Sequence, residues 1–204
     1  FLAFYQKDFT ISYTVKTSLL EIKTTRVLIF LEGIWEALVF GIIPIYTLYF
    51  ITTPLGYGTY LAYLSLMGIL ANLTLGKLTD RLQKRVVFLY PLTITMTLIT
   101  FLFAFVQNSL SLWLILTAAI QLLLPLFWNI TTAMVVDAHP NLRMAIPGRE
   151  LVLAMGRLLG LFLALISFSF EKTPFWIYFV LGGVLLLFPV VLYWNTKFKK
   201  YQYL

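Results

Sequence analysis

Glu32 and Glu36 stand inside an apolar run, 27–50, where a carboxylate is costly and usually functional. Four residues apart, they share one face of a helix. Arg157 stands inside a second apolar run, 149–170, and Gln121, Trp128 and Asn129 inside a third, 110–136. At the helical rise, Glu36 lies about 13 Å into its run and Arg157 about 12 Å into its own. Asn129 lies about 12 Å before Asp137, which follows the third run. The three polar groups therefore meet at one depth, with Trp35, Trp128 and Gln121 at or near the same layer. Two kinds of chemistry suit such a layer. Glu36, Arg157 and Asn129 can line a path for a solute or a proton, with Glu36 as the group that takes up and releases the proton. Alternatively, Glu36 or Glu32 forms a fixed ion pair with Arg157 that ties the helices together. Glu32 is shallower and can also reach the headgroups.

Other chemistries lack their residues. The chain has no cysteine and a single histidine, His139, which excludes a thiol nucleophile, a disulfide and a multi-histidine metal site. His139 sits in a polar segment and reads as solvated. No Gly-x-Ser-x-Gly elbow and no Gly-Lys-Ser/Thr phosphate loop occurs, so the expectation is a non-enzyme without metal or cofactor. The net charge of +7 does not point to nucleic acid, because the cations lie almost entirely between apolar runs.

Those runs define the fold class. Hydrophobic residues make up 61% of the chain and charged residues 11%, against roughly half and a quarter in soluble domains. Six runs approach the ~20 residues that span a bilayer: 27–50, 57–78, 86–107, 110–136, 149–170 and 175–194. They are continuous rather than alternating, which argues for an all-α six-transmembrane-helix bundle and against a barrel. The spans occupy 27–195. Residues 1–26 form a leader whose charge-interrupted apolar residues suit a membrane surface or a plain linker, and 196–204 form a basic tail. Lysine and arginine fall in the leader, in 77–85, in 143–149 and in the tail, while the other three connections hold only Lys172. That alternation predicts both termini on the cytoplasmic side of a cell membrane. Tyr57, Tyr60, Trp113 and Trp176 are expected at the outer interface. A chain that opens on Phe1 rather than Met reads as a piece of a longer protein.

Close packing in lipid needs small residues. Gly33, Ala37 and Gly41, then Gly156, Gly160 and Ala164, recur at steps of four; Ala62, Ser65 and Gly68 recur at steps of three. These stripes are expected to face other helices. The third and sixth runs, rich in Leu, Phe and Val apart from Gly182-Gly183, are expected to face lipid. Pro44, Pro91, Pro125 and Pro189 should kink their spans.

The stretch Gly76-Lys77-Leu78-Thr79-Asp80-Arg81-Leu82-Gln83-Lys84-Arg85 resembles the signature loop of the major facilitator superfamily. That family places it between the second and third helix of each six-helix half; Gln83 stands where it usually has glycine. Pro147-Gly148-Arg149-Glu150 followed by Gly156-Arg157 and Gly160 resembles, more weakly, the start of the family's fifth helix. The resemblance covers 27–195. It implies one half of a secondary active transporter, built of two inverted three-helix repeats and moving a small solute by alternating access. A second six-helix half, the solute and membrane lipid would be its partners, and the preceding leader points to the C-terminal half. Spans one and four would line the cavity, two and five would meet the other half, and three and six would face lipid. Gly76, Asp80, Arg81, Lys84 and Arg85, with Asp137 across from Arg81 or Arg85, would form a gating latch rather than a binding site. Read as residues alone, the same cations suit stop-transfer charges. A non-transporting scaffold or receptor with a transporter-like fold is the alternative.

Overall fold

The computed structural model describes residues 14–79, 85–170 and 175–197. A short helix, α1 (Val15–Glu21), is opened by a reciprocal capping pair: the Thr17 amide donates to the Thr14 hydroxyl and the Thr14 amide to the Thr17 hydroxyl. Long helices follow: α2 (Arg26–Phe50), α3 (Pro54–Thr79), α4 (Leu89–Phe103), α5 (Leu110–Ala138), α6 (Leu142–Phe170) and α7 (Trp176–Lys197). A 3₁₀ turn, Arg85–Phe88, leads into α4, and no strand occurs among the described residues. Among the described residues, five segments are long and apolar enough to cross a bilayer: Arg26–Phe50, Val86–Phe103, Leu110–Ala138, Leu142–Phe170 and Trp176–Thr196. Their outer faces carry Leu98, Ile115, Leu165 and Leu187 in the open. Water would not support that surface, and lipid does. The chain is an all-helical membrane protein.

The closest seam joins α2 to α6. A methyl group placed on Gly156 would lie 2.6 Å from the Phe30 carbonyl oxygen and 2.9 Å from the Gly33 α-carbon. One placed on Gly160 would strike the Ile34 carbonyl and lie 2.7 Å from the Ala37 β-carbon. Residue numbers rise together along the seam, from Gly33 beside Gly156 to Gly41 beside Leu161, so the two helices run parallel. The two glycine stripes seen in the sequence are thus the two sides of one contact.

The next most extensive contacts between long helices are α4 with α7, α3 with α5, α2 with α7 and α4 with α5. Along α7, Tyr178, Leu181, Leu185, Phe188 and Leu192 are buried at alternating steps of three and four, the period of a packed helical stripe. Helices α4 and α7 therefore each turn one face inward and leave another open, where the sequence predicts lipid-facing helices. Gly182 accommodates the Phe101 ring of α4.

Several boundaries differ from the sequence reading. Segment 137–148 is not a loop: α6 begins at Leu142, leaving only His139, Pro140 and Asn141 outside helix. Pro147 is carried inside α6. Helix α4 ends at Phe103, and 104–109 form turns. In α2, the expected kink at Pro44 takes the form of a π-turn, Leu38–Ile42, just ahead of it. Pro44 has no N–H to give the preceding turn, and the wider turn absorbs the mismatch. Trp113 is no interfacial ring. It is fully buried, donates to the Thr47 hydroxyl at 2.9 Å and packs against Tyr46 and Phe103. Tyr60 is buried as well. Of the stripe on α3, Ala62 and Ser65 are exposed, while Gly68 lies against Gln121.

The described part of the leader docks on the bundle. Helix α1 packs on α6, where Gly148 leaves room for the Ser18 carbonyl. The Asn195 side-chain amide reaches the Thr24 carbonyl at 3.5 Å. His139 is not solvated: it is 5% exposed and its Nε2 lies 2.9 Å from the Thr25 hydroxyl. Burial pushes its pKa below the ordinary 6.5, against an opposing pull from Glu21. A histidine whose folded pKa is lowered binds fewer protons folded than unfolded, so its neutral form favours the fold. That contribution is complete above 6.5 and is lost as pH falls below it toward the lowered value. Melting temperatures in detergent should therefore drop between about pH 7.5 and about pH 5.5, and His139→Gln should flatten that part of the profile.

Candidate functional site

Helix α2 presents Glu32 and Glu36 to α6 on one side and α5 on the other. Both carboxylates are buried, at 1% and 0% exposure. Glu36 accepts from Arg157 Nε at 2.5 Å through one oxygen and from Trp128 Nε1 through the other. Glu32 accepts from Arg149 Nη2 and from the Thr131 hydroxyl, each at 3.1 Å through the same oxygen. Arg149 also donates to Glu150 at 2.6 Å. Two ion pairs one helical turn apart on α2 thus bridge α2 to α6, with α5 supplying Trp128 and Thr131.

The parallel glycine seam explains the pairing. It fixes α2 against α6 with Gly33 beside Leu153 and Gly156, so Glu36 falls level with Arg157, while Arg149 extends to Glu32. The π-turn supplies the remaining wall. Phe40, inside it, stacks on Trp128 at 6.0 Å with ring planes 9° apart, and the Arg157 guanidinium sits 5.0 Å from the Phe40 ring centroid. That is a cation–π contact in addition to the ion pair.

The two pairs differ in access. The Arg149 side chain is 10% exposed and its pair is closed. The Arg157 side chain is 33% exposed, and Phe40 beside it is open as well. A closed pair is a fixed tie, whereas a carboxylate joined to an open guanidinium can exchange its partner for an incoming anion or proton. No protein-family model, no curated protein and no solved structure matches the chain. What the cluster does must therefore be argued from its own geometry.

Of the residues singled out in the sequence, Glu36, Arg157, Trp128 and Glu32 come together. Asn129 is exposed beside Trp128, with no hydrogen bond to the cluster. Trp35 does not belong to it: buried in the core, it donates to the Thr100 hydroxyl on α4 at 3.0 Å and meets the Phe127 ring edge-on. Gln121 lies seven residues before Trp128, about 10 Å along α5. There it lines a separate cavity of 380 Å³ between α2, α3 and α5, with Tyr57, Tyr60, Ser65 and Thr117. In the expected latch, Asp80, Arg81 and Lys84 lie outside the described residues. Gly76 is within α3, and Arg85 opens the 3₁₀ turn. Asp137, in the last turn of α5, is exposed and forms no ion pair with a described residue.

Arg149, Thr131 and Phe40 are members of the cluster that sequence reasoning missed. Arg149 looked like a topological charge at the start of a span. Its signal was the spacing: two acids one turn apart on one glycine-striped helix, two arginines eight apart on the other.

Proposed function

We propose that the chain is one six-helix half, the C-terminal one, of a secondary active transporter of the major facilitator type. In this reading α3, 26 residues long, is the sixth crossing, both termini are cytoplasmic, and the membrane is the cell membrane. The observation that carries the proposal is the Glu36–Arg157–Trp128 cluster, a fully buried carboxylate tied to a guanidinium that stays open on one side. The helix pairings support it. Exchanging α2 with α5, α3 with α6 and α4 with α7 turns the α2–α6 contact into α3–α5 and the α2–α7 contact into α4–α5, while α4–α7 maps onto itself. Two inverted three-helix repeats would produce these principal contacts; the smaller α5–α6 and α6–α7 contacts have no such counterpart.

Alternating access would open the cluster to each side in turn. An anionic group of the solute, or a proton on Glu36, then releases the Arg157 pair, and re-forming the pair resets the site. The Glu32–Arg149 pair would stay closed throughout and hold α2 to α6. The non-transporting scaffold remains the competing reading, favoured by how completely both carboxylates are already satisfied.

The decisive experiment is uptake of a panel of labelled small solutes by vesicles containing the full-length protein, with and without an imposed proton gradient. Glu36→Gln should keep solute exchange while losing gradient-driven accumulation. Unchanged uptake and unchanged pH dependence would remove Glu36 from the path. Absence of uptake of any solute by the wild type would favour the scaffold.

A further inference from the structure

We propose that the groove between α1, the start of α2 and α6 is a binding site for one anionic phospholipid, which enters it from the leaflet at the Arg26 end of the bundle. The groove has a volume of 330 Å³ and is lined by Leu19, Arg26, Val27, Phe30, Val152 and Met155. Five of the six are apolar, and the sixth is a cation at the point where the apolar span of α2 begins. This is the division a lipid requires: hydrocarbon below, positive charge at the headgroup level.

Charge complementarity selects an anionic headgroup. Arg26 is exposed and forms no ion pair among the described residues. It also occupies the first turn of α2, where the helix dipole disfavours a cation. Thr25, the residue placed to cap that turn, makes no capping bond, because its hydroxyl is held by His139 and the Ile22 carbonyl. A phosphate at this point would offset the unpaired charge of Arg26. The apolar wall needs an occupant too: Val27 and Met155 are 51% and 54% exposed, so an acyl chain would cover surface the protein leaves bare. None of the lining residues belongs to the Arg157 cluster, and in the transport reading α6 also meets the second half, which the full-length protein brings to the test.

The test is native mass spectrometry of the full-length protein released from neutral detergent, titrated with phosphatidylglycerol, phosphatidylcholine or inorganic phosphate. The wild type should retain one phosphatidylglycerol in preference to phosphatidylcholine by about fivefold, the effect of one cation at a membrane surface. Arg26→Gln should abolish the preference, and Arg143→Gln, an exposed cation at the start of α6 that does not line the groove, should leave it intact. Met155→Trp, which fills the groove, should reduce retention of both lipids. Equal retention of the two lipids by the wild type would overturn the proposal. So would an unchanged preference in Arg26→Gln, full competition by inorganic phosphate, or a groove that takes no lipid because another segment or a second half covers it.

Discussion

Arg157→Gln should lower the stability of the bundle by about 3–5 kcal/mol, because it strands the buried Glu36 carboxylate without its counter-charge. Only the Trp128 N–H would remain to hold that carboxylate. The paired change Glu36→Gln with Arg157→Gln should recover most of the loss, since two neutral amides of similar shape leave no buried charge. The corresponding changes at Glu32 and Arg149 should act in the same direction, because the Glu32 carboxylate is as buried as that of Glu36. The two paired variants should part in function. Removing the closed Glu32–Arg149 tie should leave transport by the folded protein, whereas removing the open Glu36–Arg157 pair should abolish it. Thermal unfolding in detergent, read by tryptophan fluorescence, supplies the stabilities, and vesicle uptake supplies the activities. If the Arg157 single variant unfolds with the wild type, the pair is not holding α2 to α6.

Gly156→Val should be comparably damaging, by a different route. Its new β-carbon would meet the Phe30 carbonyl and the Gly33 backbone, and neither can swing away as a side chain could. Overpacking of this kind costs about 3 kcal/mol or more when the backbone itself must move. Here it would part the α2–α6 seam that positions both ion pairs. Gly160→Val should act in the same way through Ile34 and Ala37. Gly183→Ala is the control: nothing lies within 4 Å of the added carbon, and alanine is the better helix former, so stability should rise by about 0.5–1 kcal/mol. Denaturation of the purified protein and its variants in mixed micelles would measure all three. Equal stabilities for Gly156→Val and Gly183→Ala would mean that α2 and α6 do not touch through their glycines.

The parts of this arrangement legible in the sequence are those governed by local rules. Apolar run length marked the long helices, and four-residue spacing marked the glycine stripes, because both follow from helical geometry alone. The depth count put Glu36, Arg157 and Asn129 at one layer for the same reason, with Trp128 near it; Asn129 shares the depth but faces outward, and Trp128 takes the place beside Glu36. What could not be read depended on helix rotation. Trp35 is one residue from Glu36 and shares its depth, but it points about 100° away, into the core against Thr100. Trp113 carries the amphipathic character of an interfacial ring, but Thr47 offers it a buried acceptor on a neighbouring helix. Arg149 and His139 look soluble by composition. They are buried because Glu32 and Thr25, far away in the chain, give them partners. Segment 142–148 looked like a loop because of Pro147 and Gly148. It is helical although Pro147, the sixth residue of α6, cannot donate to the Arg143 carbonyl, and Gly148 lets α1 lie against it.

The π-turn in α2 makes that helix two rods joined by a soft coupling. A continuous α-helix passes a rotation along its axis undiminished. Five residues with wider spacing between bonded partners do not. The two rods are held by different partners: Arg26–Ala37 by the glycine seam with α6, and Ile43–Phe50 by Tyr46 and Thr47 against Trp113 of α5. Phe40 is seated in the coupling between them, so it is the ring that would feel a relative movement of the two rods first.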